Sequence, residues 1–362
     1  MENVNFLLPK VSVVIVNYNG EKYIKNCIES IGKVNYDSQK IEIVVIDNGS
    51  NDNSVNLIRE NFPQVTLITN KKNIGFAPAV NMGARAASGK YVAIINNDIV
   101  VDRNWLIELV KAVNGDSEVV CAGSKVLNAD GTKIDFVGGM VNFEGKGFQI
   151  DYGKPVSEDI HNQEMYYLFA NGSSMLVDRE VFLEVGGFDE DFFAYYEDVD
   201  FGWRLWVLGY KVVFVPTSIV YHVHHGTSKA FSEDKLRFLK ERNSLYSVFK
   251  NYDDENLART LSASLASVFN RVFVDFKFDY KNYYRFDIID SGIPACSGIQ
   301  TVGGEEEETR TETEAGSSES NSGDVSEEKR VSEEIDNLKL SKEPLSSLMA
   351  VKDFLDNLPK LI

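Results

Sequence analysis

Short apolar runs alternate with stretches of helical spacing through the N-terminal third of the chain. Four runs are apolar on both faces and rich in Val and Ile, which is typical of strands buried in a parallel sheet: Val11–Val16, Ile41–Ile46, Val65–Thr69 and Tyr91–Ile95. The segments after them have helical periodicity: Glu21–Ile31, Ser54–Glu60, a helix that ends near Ser88 and Gly89, and Trp105–Val113. This alternation predicts βαβ units and an α/β fold with a mainly parallel central sheet flanked by helices.

The alternation of strands and helices ends after a further predicted strand at Val119–Gly123. Gly-rich, strand-like segments follow, and a second region begins after them. In that region the pattern predicts strands and helices at these places: one or two strands within Tyr166–Val177, helices at Asp178–Val185 and Val199–Leu208, strands at Lys211–Val215 and Ile219–Val223, and a basic amphipathic helix at Glu233–Lys250.

The C-terminal part of the chain differs in composition. Leu257–Tyr284 alternates large apolar residues with Arg and Lys, which indicates helices that either cover the core or touch a membrane face. Between Glu305 and Glu334, twelve acidic and three basic residues contribute −9 of the formal net charge of −18. This segment has too few apolar residues to offset the cost of ordering and is predicted to be disordered. A last helix, Pro344–Leu358, is expected to pack back on the Leu257 region.

Composition narrows the class of protein. With 362 residues, 43% of them apolar, the chain is long enough for a large core. It has no basic stripe, so we expect no nucleic-acid partner. Its three cysteines are far apart and odd in number, which supports neither a disulfide framework nor a thiolate zinc site. Because there is no signal peptide and no long apolar run, a cytoplasmic location is expected.

Polar side chains follow each of the first four predicted strands. They are Asn17–Asn19, Asp47–Ser50, Asn73–Asn81 and Asn96–Asp98. Ligands bind beyond the carboxyl ends of strands in open α/β sheets, so these segments are expected to form one site. The first strand is not followed by Gly-x-Gly-x-x-Gly, and no Gly-Lys-Ser/Thr phosphate loop occurs, which disfavours a dinucleotide oxidoreductase or a P-loop NTPase. These polar segments are instead suited to bind a nucleotide, held partly through a divalent metal.

At these residues the chain resembles the inverting family 2 glycosyltransferases, which have the GT-A nucleotide-diphospho-sugar transferase fold. The matching segments occur in the family's order and cover roughly Pro9 to Tyr252: Val11–Asn19, Asp47–Ser50, Asn73–Ala79, Asn96–Asp98, Asn171–Met175, Gly187–Phe193 and Glu197–Arg204. The most similar branch includes rhamnosyltransferase-like enzymes of surface polysaccharides. The resemblance implies a GT-A catalytic domain at 1–252, with donor half 9–124 and acceptor half 125–252, then a helical extension at 253–302, an acidic disordered linker at 303–335 and a C-terminal helix at 336–362.

The resemblance also implies substrates and the residues that bind them. The donor would be a UDP- or dTDP-linked sugar, and the acceptor a glycan or a lipid-linked saccharide. Nucleotide-sugar contacts would come from Asn17, Asn19, Asp47, Asn48, Gly75, Phe76, Asn81, Asn96 and Asn97. Acceptor contacts would come from Asn171, Gly172, Ser173, Tyr196 and Trp203.

A metal site is implied at Asn96-Asn97-Asp98, which occupies the place of the family's Asp-x-Asp motif but has one charged residue, Asp98. Hard cations such as Mg²⁺ or Mn²⁺ prefer oxygen ligands and complete their shell with substrate phosphates. His222 is the first choice for an added ligand. His224 points to the same side if its strand continues, and His225 is a third candidate.

The catalytic base is implied at Asp198, beside Glu197, because inverting transfer needs a group that takes the acceptor proton. Neighbouring aromatic residues would raise its pKa by desolvation. The structural alternative for Asp198 is a helix N-cap. Asp200 is a weaker candidate for the base, and Arg85 and Arg204 are expected in structural pairs.

Two other classes of function stay open at this point. In the first, the reduced Asn-Asn-Asp motif marks a catalytically degenerate nucleotide-sugar-binding module that docks a partner enzyme. The second, a nucleotidyltransferase, would need a Gly-rich, basic loop after the first strand, which Asn17–Gly20 does not provide. For the enzyme, peripheral contact with the inner face of the membrane is a further expectation.

Overall fold

The computed structural model describes residues 8–223, 232–275 and 342–361. Its strands are β1 (Val11–Asn17), β2 (Ile41–Asp47), β3 (Thr66–Thr69), β4 (Tyr91–Asn96), β5 (Ile99–Val101), β6 (Val119–Asn128), β7 (Ile134–Phe136), β8 (Gly139–Val141), β9 (Gly147–Gln149), β10 (Met165–Tyr166), β11 (Ser174–Asp178) and β12 (Lys211–His222). Its α-helices are α1 (Ile24–Ile31), α2 (Ser54–Asn61), α3 (Phe76–Ala86), α4 (Trp105–Gly115), α5 (Arg179–Glu184), α6 (Glu197–Val207), α7 (Glu233–Asn251), α8 (Asp254–Asp275) and α9 (Lys342–Leu361).

The central sheet has the strand order β10-β12-β6-β11-β4-β1-β2-β3. Strands β3, β2, β1 and β4 are parallel, and β12 is parallel to β6. One antiparallel strand, β11, joins the two parallel groups through β4 and β6. The prediction of a mainly parallel sheet flanked by helices is therefore confirmed.

Both faces of the sheet are covered, which explains why the strands are apolar throughout. Val11, Val13 and Ile15 of β1 face a core layer that includes α1, α2 and α4. Val14 and Val16, which alternate with them, face the other layer, which includes α3, α5 and α6. Successive side chains of a strand point to opposite faces, so a strand buried on both sides needs apolar residues at every position.

The structure corrects two details of the second region. Lys211–Val215 and Ile219–Val223 were predicted as separate strands, yet β12 runs from Lys211 to His222 with an irregularity in register between Val215 and Ile219. Helix α6 begins at Glu197, two residues before the predicted start, so Asp198 lies in its first turn. The N-cap position belongs to Tyr196, and the N-cap alternative for Asp198 is therefore wrong.

The C-terminal helices form a third layer beside the sheet. Helix α9 packs against α7 and α8, as expected for a last helix that returns to the Leu257 region. Their shared cluster joins Phe192, Tyr246, Val268 and Phe354. None of the helices described here is long and apolar enough to cross a membrane. The predicted acidic linker, Cys296, His224 and His225 lie outside the described residues.

Candidate active site

A cavity of about 770 Å³ opens beyond the carboxyl ends of β1 and β4. Asn96, Asn97 and Asp98 line one part of it, and Glu197 and Asp198 line another. These residues are a hundred positions apart in sequence and are brought together because β11 places the 171–174 turn next to the tip of β4. The structure thus joins the predicted strand-end site and the predicted carboxylate pair in one cavity.

The side-chain amide of Asn17 is buried beneath the strand ends that are predicted to bind the nucleotide. Its Nδ2 donates to Asp47 Oδ1 at 2.8 Å and to Ser54 Oγ at 2.9 Å, and its Oδ1 accepts from Asn97 Nδ2 at 3.0 Å. Gly20 permits this arrangement, because a Cβ there would stand 2.1 Å from Asn17 Oδ1. Asn17 therefore fixes the two strand ends relative to each other and does not itself line the cavity.

A second buried amide, Asn48, shapes the loop that leads to α3. Its Nδ2 donates to Asn73 Oδ1 and to the Gly75 carbonyl, at 3.0 and 2.9 Å, and its Oδ1 accepts from the Ile74 amide at 3.1 Å. Gly75 has φ of 103°, and a Cβ there would lie 2.7 Å from the Phe193 carbonyl oxygen. Only glycine fits this close approach. Phe76, the next residue, lines the cavity.

Seven predicted substrate contacts lie away from the cavity lining: Asn17, Asn19, Asp47, Asn48, Gly75, Asn81 and Trp203. Asn19 is exposed and bonds through its Oδ1 to the Asn51 amide. Asn81 is buried and binds both the amide and the carbonyl of Phe188. Trp203 packs edge-to-face on Tyr252, with ring centroids 4.7 Å apart. The remaining predicted acceptor residues, Asn171, Gly172, Ser173 and Tyr196, all line the cavity.

The predicted metal ligands Asp98 and His222 face each other in the cavity. His222 Nε2 lies 3.4 Å from Asp98 Oδ1, and His222 Nδ1 donates to Asp135 Oδ2 at 2.7 Å. Burial disfavours the charged imidazole, but hydrogen bonds and charges from Asp135 and Asp98 outweigh it and raise the pKa of His222 to about 9. An aspartate on Nδ1 is the usual outer partner of a metal-binding histidine, since it aims Nε2 at the ion.

This donor set fits a hard cation that keeps open positions for substrate oxygens. Within residues 8–223, 232–275 and 342–361 no group of three or more His, Cys, Asp and Glu side chains could hold a metal ion by itself. One carboxylate and one imidazole leave most of an octahedral shell to phosphate and water, which suits Mg²⁺ or Mn²⁺.

Asp198 is the half-buried member of the carboxylate pair. Its Oδ2 accepts from the Gly172 amide at 3.0 Å and its Oδ1 from the Val199 amide at 2.9 Å. Desolvation by burial raises the pKa of Asp198, and these backbone hydrogen bonds oppose the rise. Each oxygen keeps a second lone pair. A carboxylate with a raised pKa that faces a cavity is suited to general-base work.

Glu197 is the more deeply buried partner. Its pKa is raised well above the ordinary value by desolvation and then by the charge of Asp198. Among the described groups, Glu197 Oε2 and Ser173 Oγ are buried without a hydrogen-bond partner, and both residues line the cavity. Unpaired buried polar atoms are costly, so a cavity that contains two of them is built for a polar ligand.

Glu197→Gln should therefore raise the melting temperature at neutral pH. The raised pKa means that the folded state favours the protonated acid, so above the ordinary value of 4.5 the carboxyl costs stability that a neutral amide does not. We expect a gain of a few degrees at pH 8 that vanishes towards pH 4.5, measured by thermal denaturation across that range. A gain that did not depend on pH would contradict the burial of a titrating acid.

The loop before α6, residues 192–196, has a strained backbone; we call it the aromatic loop. Phe193, Tyr195 and Tyr196 have φ of 64°, 69° and 70°, in the left-handed region. Each such residue costs on the order of 1–3 kcal/mol, and such strain persists where surrounding structure imposes it. Because the loop leads directly into Glu197 and Asp198, the strain lies at the carboxylate pair.

The expected structural pairs are also present. Arg85 lies 3.5 Å from Glu190 at the surface. Arg204 Nε binds Asp200 Oδ2 at 2.8 Å, and its other nitrogens bind the carbonyls of Val185 and Gly187. Asp200 is fully buried and does not line the cavity, so it is not a base.

Several residues that line the cavity could not be predicted from sequence patterns. Asp135 lies within the Gly-rich stretch, which has no clear periodicity. Phe148 and Tyr152 lie on or just after the β8–β9 hairpin, which pairs with no strand of the central sheet. Lys240 lines the cavity with its ammonium 5.4 Å from the Tyr195 ring centroid. A helical wheel places Lys240 on a polar face and does not predict which element that face approaches.

Comparison with known proteins agrees with this geometry. Residues 12–183 match Glycosyl transferase family 2. The N-acetylglucosaminyl-diphospho-decaprenol L-rhamnosyltransferase of Mycobacterium tuberculosis is 26% identical over 261 residues, which are 64% of this chain and 84% of that protein. Glycosyltransferase GlyG of Streptococcus pneumoniae is 26% identical over 284 residues, 76% of this chain and 89% of that protein.

Among solved structures, the crystal structure of GalNAc-T7 with UDP, GalNAc and Mn²⁺ superimposes with a TM-score of 0.56 at 21% identity. The match covers 69% of this chain and about half, 49%, of that one. Fold and site together define a glycosyltransferase of the GT-A type. The part of the chain that matches glycosyltransferase family 2 is residues 12–183, just under half of its length.

Proposed function

We propose that this protein is an inverting glycosyltransferase that moves a sugar from a UDP- or dTDP-linked donor to a glycan or lipid-linked acceptor in surface polysaccharide synthesis. The observation that carries the proposal is the single cavity that contains Asp98 and His222 together with Glu197 and Asp198. A donor diphosphate and an acceptor hydroxyl can meet there. The role in polysaccharide synthesis is proposed because the chain is similar to a rhamnosyltransferase whose name gives a diphospho-decaprenol-linked acceptor.

Asp198 is the base of the proposed reaction. It takes the proton of the acceptor hydroxyl while that oxygen bonds to the anomeric carbon from the face opposite the leaving group. The bond from that carbon to the diphosphate oxygen breaks, and the nucleoside diphosphate leaves with its electron pair. The amides of Gly172 and Val199 keep the carboxylate oriented. Glu197, whose pKa is raised by burial and by the charge of Asp198, lines the same cavity and forms a hydrogen bond with a substrate hydroxyl through its unpaired Oε2.

Asp98 and His222 would hold Mg²⁺ or Mn²⁺, with Asp135 orienting the imidazole. When bound, the ion neutralises charge on the leaving diphosphate. Asn96, Asn97 and Phe76 line the cavity and are proposed to contact the donor. Asp47, which accepts a hydrogen bond from Asn17, is proposed to contact the nucleotide. The ligand role of His224 stays a prediction, as do nucleotide contacts by Asn19, Asn48 and Gly75.

Asn171, Gly172, Ser173 and Tyr196 are proposed to contact the acceptor, since they line the cavity around the base. Asn81 and Trp203, which lie off the lining, are proposed to support the fold. We further propose that the enzyme works in the cytoplasm, peripherally at the inner face of the membrane, and that its catalytic domain ends near residue 252.

Calorimetric titration with UDP-, dTDP- and GDP-sugars, each with Mn²⁺ and with chelator, tests the donor side. Binding of one donor that needs the metal, followed by an NMR assay in which product and donor have opposite anomeric configurations, would support the proposal. Retention of configuration would contradict inversion. If no donor bound, the degenerate module that docks a partner enzyme would be the better interpretation.

A further inference from the structure

The aromatic loop turns its carbonyl groups outward, and each carbonyl has a donor. The Phe193 carbonyl accepts from the amides of Phe76 and Ala77 at the start of α3, at 2.5 and 3.3 Å. The Tyr196 carbonyl accepts the Asp200 amide within α6, at 2.9 Å. The Phe192 carbonyl accepts from the Ala194 amide within the loop, at 2.7 Å. It and the carbonyls of Ala194 and Tyr195 also face α7.

One side chain of α7, Asn243, shares its two amide hydrogens among these three carbonyls. Its Nδ2 lies 3.0 Å from the Phe192 carbonyl oxygen, 2.9 Å from that of Ala194 and 2.6 Å from that of Tyr195. Asn243 is fully buried, and its Oδ1 accepts from Arg242 Nε at 2.9 Å, which fixes the amide orientation. Three carbonyls converge on one nitrogen because left-handed residues curl the loop around it.

We infer that Asn243 is a positioning residue that holds the aromatic loop, and through it Glu197 and Asp198, in the geometry for transfer. Without the amide, the carbonyls of Ala194 and Tyr195 lose a buried donor, while that of Phe192 keeps other donors. Fewer contacts then hold the left-handed backbone of the loop in place. The loop would then relax and move the start of α6. This inference rests on the proposed function for its consequence in catalysis, but the structural coupling is independent of it.

The coupling also gives the C-terminal helices a part in the site. Phe192, the first residue of the aromatic loop, packs in the same cluster as Leu245 and Tyr246 of α7 and Val351 and Phe354 of α9. Arg242 adds bonds from α7 to the carbonyls of Asp191 and Phe192, at 2.9 and 3.1 Å. The position of α7, and hence of Asn243, is therefore set by α9.

Asn243→Ala is the test, with Asn251→Ala as its matched control. Asn251 is also a buried amide of α7, but it bonds to Asp200 and to the Ser247 carbonyl, not to the aromatic loop. We expect Asn243→Ala to lower kcat about 100-fold, the size of loss that misplacement of a catalytic group by about 1 Å produces. The donor Kd should stay within about twofold, because the strand-end site is untouched. Asn251→Ala should lower the melting temperature by a similar amount and leave kcat unchanged.

Hydrogen exchange separates this inference from the proposed function, since it needs no turnover. In Asn243→Ala, exchange should rise at residues 192–199 and stay unchanged at 94–98; in Asn251→Ala, residues 192–199 should stay protected. Asn243→Asp, which keeps the size but loses the N–H donors, should behave as Asn243→Ala does. Unchanged protection at 192–199 in both Asn243 variants would overturn the inference, as would equal kcat losses in Asn243→Ala and Asn251→Ala.

Discussion

Asp198→Asn is expected to bind the nucleotide sugar as the wild type does and to lose transfer by about 10²- to 10⁴-fold, the usual contribution of a general base. The amide keeps an oxygen that accepts the Gly172 N–H, so the turn at 171–174 should be preserved. It has no lone pair basic enough to take the acceptor proton. The measurements are kcat with the donor identified by calorimetry and the Kd of that donor.

Asp200→Asn is the control for this prediction. Asp200 is two residues away in α6 and is equally an aspartate, but it is buried against Arg204 and Asn251 outside the cavity. Its variant should be less stable and should retain kcat within a few-fold below its melting temperature. Wild-type turnover by Asp198→Asn would remove Asp198 from the role of base and leave Glu197 as the group to test.

The pH dependence of kcat offers an independent check on the same pair. Desolvation raises the pKa of Asp198, and a base works only when deprotonated, so kcat should rise with pH through a value above the ordinary 3.8. The pKa of Glu197 is raised more strongly, by burial and then by the charge of Asp198, so Asp198 loses its proton first. Glu197→Gln should therefore leave the position of this rise unchanged, and a rise that moved with the variant would belong to the pair and not to Asp198.

The strand-end half of the site could be predicted because local pattern and geometry agree there. The run Tyr91–Ile95 is apolar on both faces, which requires a covered parallel sheet, and residues after such a strand lie at its ligand edge. The structure places Asp98 in the cavity as this argument expects. The position of Asp198 came from the family resemblance, since an acidic residue at a helix start is ordinary by itself.

The rest of the site depends on tertiary contacts that no local pattern contains. Asn17 has the polarity of a ligand contact, yet three partners from separate elements turn it inward. Asn243 lies within a helix whose sequence gives no reason to separate it from its polar neighbours. The family resemblance implies that Trp203 contacts the acceptor, but its side chain packs against Tyr252.

Asp98→Ala is expected to weaken donor binding at least about 10-fold in the presence of Mn²⁺ and to abolish the difference between metal and chelator. Within the described part of the chain, Asp98 supplies the carboxylate that faces His222 Nε2 in the cavity, at 3.4 Å, so its loss removes the charged oxygen ligand that a hard cation prefers. Calorimetry with Mn²⁺ and with chelator measures both effects. Asp135→Asn should give a smaller loss, because it acts through the orientation of His222.

Asp102→Ala is the matched control, since it removes the same charge four residues away, after β5 and outside the cavity lining. Its carboxylate accepts only the Asn104 amide among the described hydrogen bonds, at 2.9 Å, so a modest loss of stability and no change in donor affinity are expected. Equal binding of donor by Asp98→Ala and Asp102→Ala, with Mn²⁺ still required, would show that the metal is held elsewhere. In that case the ligands would have to come from the donor diphosphate and from residues beyond the strand-end site, and Asp98 would have no part in donor binding.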